Sequence, residues 1–406
     1  MNFRDFKYII NNMNSHIKNL SEAAERIKKA VEDGERIILY GDSDLDGISS
    51  VVILEEAIKS LGGKVKMAVF PDRENDGYGI NLKALEFLKA KAPALFITLD
   101  LGISNNKEIE IANGMGFEVL VVDHHQPPDI LPNAKIIVDP KQAGDNYPFK
   151  EMCNAGLTFK LALEIIGKDI SKSQENSFLE LAALATISDM MAQNGDNKEI
   201  IEKGLRSLKN TFRPGLKIFL DILGQGEAAA GNYAKIISAL NASESVDFKN
   251  DSYLLLTSHS EKEGRELAEN LLGKVNLKQQ RIKSITQEVE KRISEKPEEI
   301  IIFEGDPAWK LTLAGPVASI IAQKYEKPAF IYKKMDTESC GSVRSLKDGQ
   351  NSVSAMKSCE DLLITYGGHP KASGFRIKNK SLEEFKYCLS KHFEKLQNCS
   401  AKFLAT

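Results

Sequence analysis

The chain has 406 residues, 42% of them hydrophobic and 27% charged, with a net charge of −3. That length exceeds one compact domain and suits two or three, and the composition is that of a soluble globular protein. No apolar run reaches the roughly 18 residues that would cross a bilayer, and the near-neutral charge supplies no global basic field, so any nucleic-acid binding has to use a local patch. The stretch 1–8 mixes charges without a signal-peptide core, which predicts a cytoplasmic protein. Five scattered cysteines (Cys153, Cys340, Cys359, Cys388, Cys399) lack CxxC spacing. They predict reduced thiols rather than a zinc ribbon or a disulfide framework.

Residues 15–33 carry apolar positions at helical spacing and end at Gly34, which predicts a helix outside the first strand. Strand one, 36–40, runs into Gly41-Asp42-Ser43-Asp44-Leu45-Asp46-Gly47, and a helix follows over 48–61. The alternating aspartates resemble a calcium loop, but an EF-hand needs a preceding helix and a glutamate at its twelfth position. Here a strand precedes and Ile53 stands at that position, so the run reads as a carboxylate cluster at a sheet edge. Strand two, 64–70, leads into Pro71-Asp72-Arg73 and Asp76-Gly77-Tyr78-Gly79, then a helix to about residue 90. Strand three, 94–99, ends at Asp100, and a helix over 105–115 follows. The next run, Val119-Leu120-Val121-Val122, reads as a strand buried on both faces and stops at Asp123-His124-His125, two of the six histidines in the chain. A last strand, 135–138, closes at Asp139-Pro140. The βαβαβαβ order predicts a parallel, doubly wound sheet whose strand ends share one edge, where ligands bind.

Helices follow over 154–166 and 178–187, the second ending at Asp189. Asp189 is either a C-terminal turn residue or, as favoured here, a fourth carboxylate reaching the same edge. Residues 197–245 read as helices with polar breaks at 210–214 and 224–231, and 261–296 as a long charged connecting helix. After Pro297 the α/β pattern restarts: strand 300–303, helix 315–325, strands 329–332 and 341–344, helix 352–362, a Tyr366-Gly367-Gly368-His369-Pro370 turn, strand 374–377 and helix 382–396.

Four carboxylates (Asp44, Asp46, Asp100, Asp189) cannot crowd together ionised without cations. Two divalent metals, bridged by one carboxylate, would neutralise them and serve in-line displacement at phosphorus. Mixed carboxylate and imidazole ligation favours manganese over magnesium or calcium. In the second domain, Gly341-Ser342-Val343-Arg344-Ser345 offers an arginine fork and hydroxyls to phosphate oxygens. Gly367-Gly368-His369, alone more often a mere turn, lets backbone approach a ligand and offers an imidazole.

The runs GDSDLDG, FITLDLG, DHH, ISD and GGHPKASG together resemble the DHH phosphoesterases with an attached DHHA1 domain. PDR…GYG, YPFKEMCNAGLTFKLA, NLKQQR and GSVRS narrow the resemblance to the RecJ-type single-strand nucleases, over roughly residues 20–395. The resemblance implies that Asp44 and Asp100 hold a first metal, and Asp46, Asp100, His124 and Asp189 a second, with Asp100 bridging. It implies that His125 faces the scissile phosphate, that Asp123 orients a histidine, and that Ser342, Arg344, Gly367, Gly368 and His369 line the substrate side. Tyr40 stands where some relatives have a histidine ligand, and Lys310 follows Trp309 where relatives often have histidine. The expected organisation is a DHH domain over 1–205, a helical linker over 206–296 and a smaller α/β DHHA1 domain over 297–406.

The expected activity is 5′-to-3′ exonucleolytic cleavage of single-stranded DNA to mononucleotides, with two divalent ions, manganese before magnesium. DNA is the expected nucleic acid ahead of RNA, and no membrane partner is expected. RecJ-type relatives continue into an OB-fold, a module that grips single strands. The sequence ends at Thr406, so the expectation is weak processivity, or a replication or repair partner in the OB-fold's place. Two alternatives stand: an oligonucleotide or RNA exonuclease of nanoRNase or archaeal RecJ-like type, and a non-catalytic replication scaffold. Retention of Asp44, Asp46, Asp100, His124, His125 and Asp189 speaks against the scaffold.

Overall fold

The computed structural model describes residues 17–223, 229–347 and 349–404. They divide into two compact units, one ending at Val275 and one beginning at Asn276.

The first unit opens with α1 (Leu20–Glu32), which buries Leu20, Ala23, Ala24, Ile27 and Ala30 along one stripe. Then come β1 (Ile37–Gly41), α2 (Leu45–Ser60), β2 (Val65–Val69), α3 (Leu82–Leu88), β3 (Ala94–Leu99), α4 (Asn106–Gly114), β4 (Phe117–Val122) and β5 (Ile136–Val138). All five strands are parallel, in the order β2-β1-β3-β4-β5. The chain leaves β1 toward one side and returns to the other, so a crevice opens at the carboxyl ends of β1 and β3.

β1 and β3 are buried along their whole length because both faces are covered. Ile37, Leu39, Ile97, Leu99, Leu120 and Val122 point into one core, while Ile38, Tyr40, Phe96, Val119 and Val121 point into the other. That alternation follows from the two-residue period of a strand. Each aliphatic side chain so buried contributes roughly 1.5–3 kcal/mol. The larger core is completed by α5 (Asn154–Ile166) and α6 (Lys172–Ser188), which are apolar around most of their circumference. Next come α7 (Gly195–Leu208), α8 (Pro214–Leu223), α9 (Ala229–Leu240), a short hairpin of β6 (Ser245–Val246) and β7 (Lys249–Asn250), and α10 (Asp251–Thr257). Leu216, Phe219, Ile236, Leu240, Leu255 and Leu256 from these elements join the same core. The expected break at 224–231 lies in part outside the described residues. Helix α11 (Glu261–Ser294) is about 50 Å long at 1.5 Å per residue. Its Ala268 and Leu271 belong to the first core, and its Val289 packs in the second unit.

The second unit contains β8 (Ile302–Asp306), α12 (Leu311–Tyr325), β9 (Ala329–Lys334), β10 (Glu338–Arg344), α13 (Ser352–Lys357), β11 (Leu363–His369), β12 (Ala372–Lys378) and α14 (Leu382–Leu404). Its sheet has the order β11-β12-β10-β9-β8; only the β8–β9 pair is parallel. One face packs Phe303, Phe330, Val343, Phe375 and Ile377 against Phe385 and Leu389 of α14. The other packs Ile302 and Ile331 against Ala314, Val317 and Ile321 of α12.

Three expectations are corrected. Gly367-Gly368-His369 lies in β11, not in a turn, because Gly367 and His369 pair with Gly374 and Ala372 of β12. The helix expected over 352–362 stops at Lys357 and gives way to a short 3-10 turn at Glu360–Leu362. Cys359 and Cys388 are joined in a disulfide rather than reduced, because the chain after α13 passes against α14 with the two Cα atoms 6.2 Å apart. Cys153 and Cys340 are free thiols, and the Cys399 side chain lies outside the described residues. No helix among the described residues is long and apolar enough to cross a membrane.

Candidate metal centre and phosphate-facing sheet

The centre sits at the crevice of the first unit. Asp44 ends the β1 loop and caps α2: its Oδ1 accepts from the amides of Asp46 and Gly47, each at 3.1 Å. This capping starts α2 three residues earlier than the sequence pattern suggests. Gly47 makes the arrangement possible. A Cβ there would lie 2.4 Å from the Asp42 carbonyl oxygen and 2.6 Å from its nitrogen, so only glycine lets α2 begin hard against the end of β1. Asp46, in the first turn of α2, is buried and turns toward α5. Its Oδ2 accepts from Asn154 N and its Oδ1 from Ala155 N, both at 2.7 Å, so the helix N-terminus holds the carboxylate.

Asp100 follows β3 in the left-handed region, at φ 65, a conformation that costs energy outside glycine and often marks functional sites. β4 delivers Asp123, His124 and His125. The Nδ1 of His124 lies 2.9 Å from the Met152 carbonyl, an acceptor, so Nδ1 carries the proton and Nε2 faces the carboxylates with its lone pair. Nε2 is 3.2 Å from Asp100 Oδ1 and 3.7 Å from both Asp46 Oδ2 and Asp189 Oδ2. Asp189, the residue after α6, is therefore brought beside His124 and the other carboxylates. The two histidines converge in the turn after the strand, with ring centroids 4.5 Å apart. His125 Nδ1 is 2.8 Å from Asp123 Oδ1, and Asp123 is itself fixed by the amides of Ile103, His124 and His125.

The sequence reading missed three residues that line this site. Asp42 is fully buried, and both its oxygens accept from the Arg73 guanidinium, which also donates to Asp44 Oδ2 at 3.0 Å. Tyr78 donates to the Asp100 carbonyl at 3.0 Å and lies 3.2 Å from His125 Nδ1. Arg73 and Tyr78 belong to the PDR…GYG stretch, and that motif was the available signal. Tyr40 is engaged elsewhere, donating to Gly79 O at 3.3 Å and accepting from Asn81 at 3.2 Å.

The electrostatics follow from crowding. Burial, and then the Asp44 charge, push Asp46 up to about 7. Burial and the neighbouring carboxylates push Asp100 and Asp189 well above the carboxylate range. Burial also opposes the charge on Asp44, yet Arg73 and the Gly47 amide hold it below its usual value. His125 loses some basicity to burial, but the Asp123 carboxylate more than restores it and carries it to about 9. A buried group of raised carboxylates is what a site built for cations looks like without them. Two overlapping sets have ligand atoms within 4.8 Å of one another: Asp46, Asp100 and His124, and Asp42, Asp44 and Asp100. Asp100 is common to both. Asp100 Oδ1 and Asp189 Oδ2 are buried and accept no hydrogen bond, so lone pairs remain for a cation. The donor set thus fits a pair of divalent ions sharing Asp100.

The second unit presents its candidate residues on one sheet face. Arg344 and His369 are both paired with Ala372, one from each side, and Ser342 and Gly367 both with Gly374. Directly paired residues point to the same face. Ser342, Arg344 and His369 therefore share a face whose central residues are Ala372, Gly374 and Gly367, with little side chain above the backbone. Gly315 of α12 makes room for the guanidinium, since a Cβ there would lie 3.1 Å from Arg344 Nη2. Gly368 lies on the opposite face at φ +120, where a Cβ would meet the Ala372 carbonyl at 2.7 Å.

Residues 36–186, which carry the five-stranded parallel sheet, the aspartates after β1 and β3 and the DHH triplet after β4, match the N-terminal domain of the DHH family. Those residues form a DHH-family N-terminal domain, and the chain is similar to RecJ exonucleases over most of its length. It is 32% identical over 377 residues to the single-stranded-DNA-specific exonuclease RecJ of Bacillus subtilis, covering 91% of this chain and 47% of that protein. The crystal structure of an exonuclease RecJ bound to manganese matches with a TM-score of 0.74 at 27% identity, covering 93% of this chain and 95% of that one. RecJ from Thermus thermophilus in complex with Mn2+ matches with a TM-score of 0.79 at 26% identity, covering 94% of this chain and 55% of that one. The chain spans about half the length of the Bacillus subtilis relative.

Proposed function

We propose that the chain is a two-metal phosphodiesterase that removes mononucleotides from the 5′ end of single-stranded DNA, with manganese preferred and magnesium accepted. The observation that carries this reading is the sharing of Asp100 between two overlapping ligand sets, one fully buried and one partly open at Asp44, at the β1/β3 crevice. The names and metal-bound structures of the relatives support the substrate and the ions.

Asp42, Asp44 and Asp100 would hold one ion, and Asp46, Asp100, His124 and Asp189 the other. Divalent cations bound there supply Lewis acidity toward a phosphoryl oxygen and activation of water near neutral pH. Met152 fixes His124 with its Nε2 facing inward, and the first turn of α5 holds Asp46 in place, so both ligands are positioned before any ion arrives. His125 has its basicity raised by the hydrogen-bonded Asp123 carboxylate, which favours its protonated form. It serves as the proton donor to the leaving oxygen, and Asp123 and Tyr78 fix its ring. In the second unit, Arg344 takes phosphate oxygens with its fork, Ser342 and His369 add donors, and the small residues between them admit the strand close to the backbone.

Asp100→Asn tests the reading, because asparagine tolerates the left-handed backbone but removes the shared charge. Cleavage of a single-stranded oligodeoxynucleotide in Mn2+ should fall at least about 1,000-fold, roughly 4 kcal/mol of barrier, with the circular dichroism spectrum unchanged. Manganese-dependent cleavage within about tenfold of the parent would remove Asp100 from its role.

A further inference from the structure

The geometry points to Arg73 as a tethered counter-cation that makes the two metal pockets unequal: the Asp42–Asp44–Asp100 pocket takes a divalent ion only when the guanidinium lets go, so the Asp46–Asp100–His124 pocket loads first. The inference rests on the two-metal reading above and goes further by assigning an order of loading and the residue that sets it.

The two pockets share Asp100 but are satisfied in different ways. Asp42 is fully buried, and both of its oxygens are engaged by the guanidinium: Oδ1 accepts from Ser43 N at 2.7 Å and Arg73 Nε at 2.6 Å, and Oδ2 accepts from Arg73 Nη2. The same Nη2 reaches Asp44 Oδ2 at 3.0 Å, while Asp44 Oδ1 is spent on capping α2. One planar cation therefore bridges the two carboxylates that an ion would have to bridge. The Asp46 carboxylate is held by backbone amides, which carry no net charge. Among the described residues, His124 lies within ion-pair distance of both Asp46 and Asp189, and it turns a lone pair toward them. An ion entering there displaces no guanidinium.

An ion entering the other pocket has to break at least the Arg73–Asp44 contact. A charge-assisted hydrogen bond of this kind sets an affinity difference of about tenfold or more. The Arg73 side chain is 35% exposed, so it has solvent to move into. The residue also explains how a site this acidic folds before metal arrives: without Arg73, Asp42 and Asp44 would face each other across the β1 loop with no compensating charge.

The test is Mn2+ binding to the full chain, read from the free-ion electron paramagnetic resonance signal and by calorimetry, without substrate. The parent protein should show two classes of site at least about tenfold apart. In Arg73→Gln the weak class should tighten about tenfold while the tight class stays, and the metal-free melting temperature should fall and recover on adding Mn2+. One bound ion in the parent and two in the variant would support the inference equally. Two equivalent sites in the parent, or a weak class that Arg73→Gln leaves unchanged, would overturn it while the two-metal reading stands. No Mn2+ binding by the parent would overturn both. If Arg73→Gln fails to fold, Arg73→Lys retains one charge but not the fork; its weak class should tighten by a smaller factor, and an unchanged class overturns the inference.

Discussion

At the scale of single residues, the centre is a set of buried and half-buried ionisable groups, and several are held by different devices. A helix N-terminus holds Asp46, an arginine holds Asp42, and backbone amides hold Asp123. The raised carboxylates make a prediction about stability. Asp46 goes from 3.8 in the unfolded chain to about 7 in the fold, so between those values the folded state keeps a proton that the unfolded state has lost. The metal-free protein should therefore lose stability as pH rises from 3.8 to about 7. Asp100 and Asp189 act in the same direction. Asp44 and Asp123, lowered in the fold, act only below 3.8. Mn2+ should cancel the loss, because it binds the deprotonated ligands of the folded state alone. Melting temperatures across this pH range, in chelator and in Mn2+, check both slopes. A metal-free melting temperature that rises through the window would contradict the assignment.

At the scale of elements, the site is a matter of where strands stop and helices start. The apolar runs of β1, β3 and β4 end at Gly41, Leu99 and Val122, and a polar ligand follows each within a few residues. Those ends were legible in the sequence because a strand buried on both faces leaves an unbroken apolar run. The Arg73–Asp42 pairing was not legible: it joins residues 31 apart through a loop folded back over β1, and periodicity carries no information about such a contact. The Gly367-Gly368-His369 strand was hidden for a related reason. Glycine pairs signal turns locally, and only the pairing with β12 makes them a strand. The Cys359–Cys388 bond depends likewise on α14 packing beside the end of α13, 29 residues away in sequence. Gly47→Ala tests the junction between β1 and α2 directly. Its Cβ would meet the Asp42 backbone, so the helix start must shift, at a cost of about 1–3 kcal/mol by denaturant melt. Mn2+ affinity should fall with it, since Asp44 and Asp46 ride on that first turn. An alanine variant of parent stability and parent affinity would refute the close-approach argument.

At the scale of the whole molecule, the chain assigns its chemistry to two differently built units. A parallel sheet gathers the candidate metal ligands at one edge, whereas a mixed sheet spreads the groups proposed to bind phosphate across a face. Fold class was readable from sequence, and the candidate ligands Asp44, Asp46, Asp100, His124 and Asp189 could be named because each lies at the end of a strand or helix; Asp42 was missed, and the placing of Arg344 and His369 on either side of Ala372 required the register. If Arg344 holds phosphate, Arg344→Ala should raise the Michaelis constant for oligonucleotides about tenfold or more while Mn2+ binding persists. Arg344→Lys should recover part of that loss, because the charge returns without the fork. An unchanged Michaelis constant in Arg344→Ala would take the residue out of the substrate site. The proposed activity as a whole is tested most directly by a time course in Mn2+ on one single-stranded DNA labelled at its 5′ end and the same strand labelled at its 3′ end. Release of the 5′ label as a mononucleotide at the earliest times, with the 3′ label still on long products, is the result expected. Early release of the 3′ nucleotide, or cleavage confined to RNA, would contradict it.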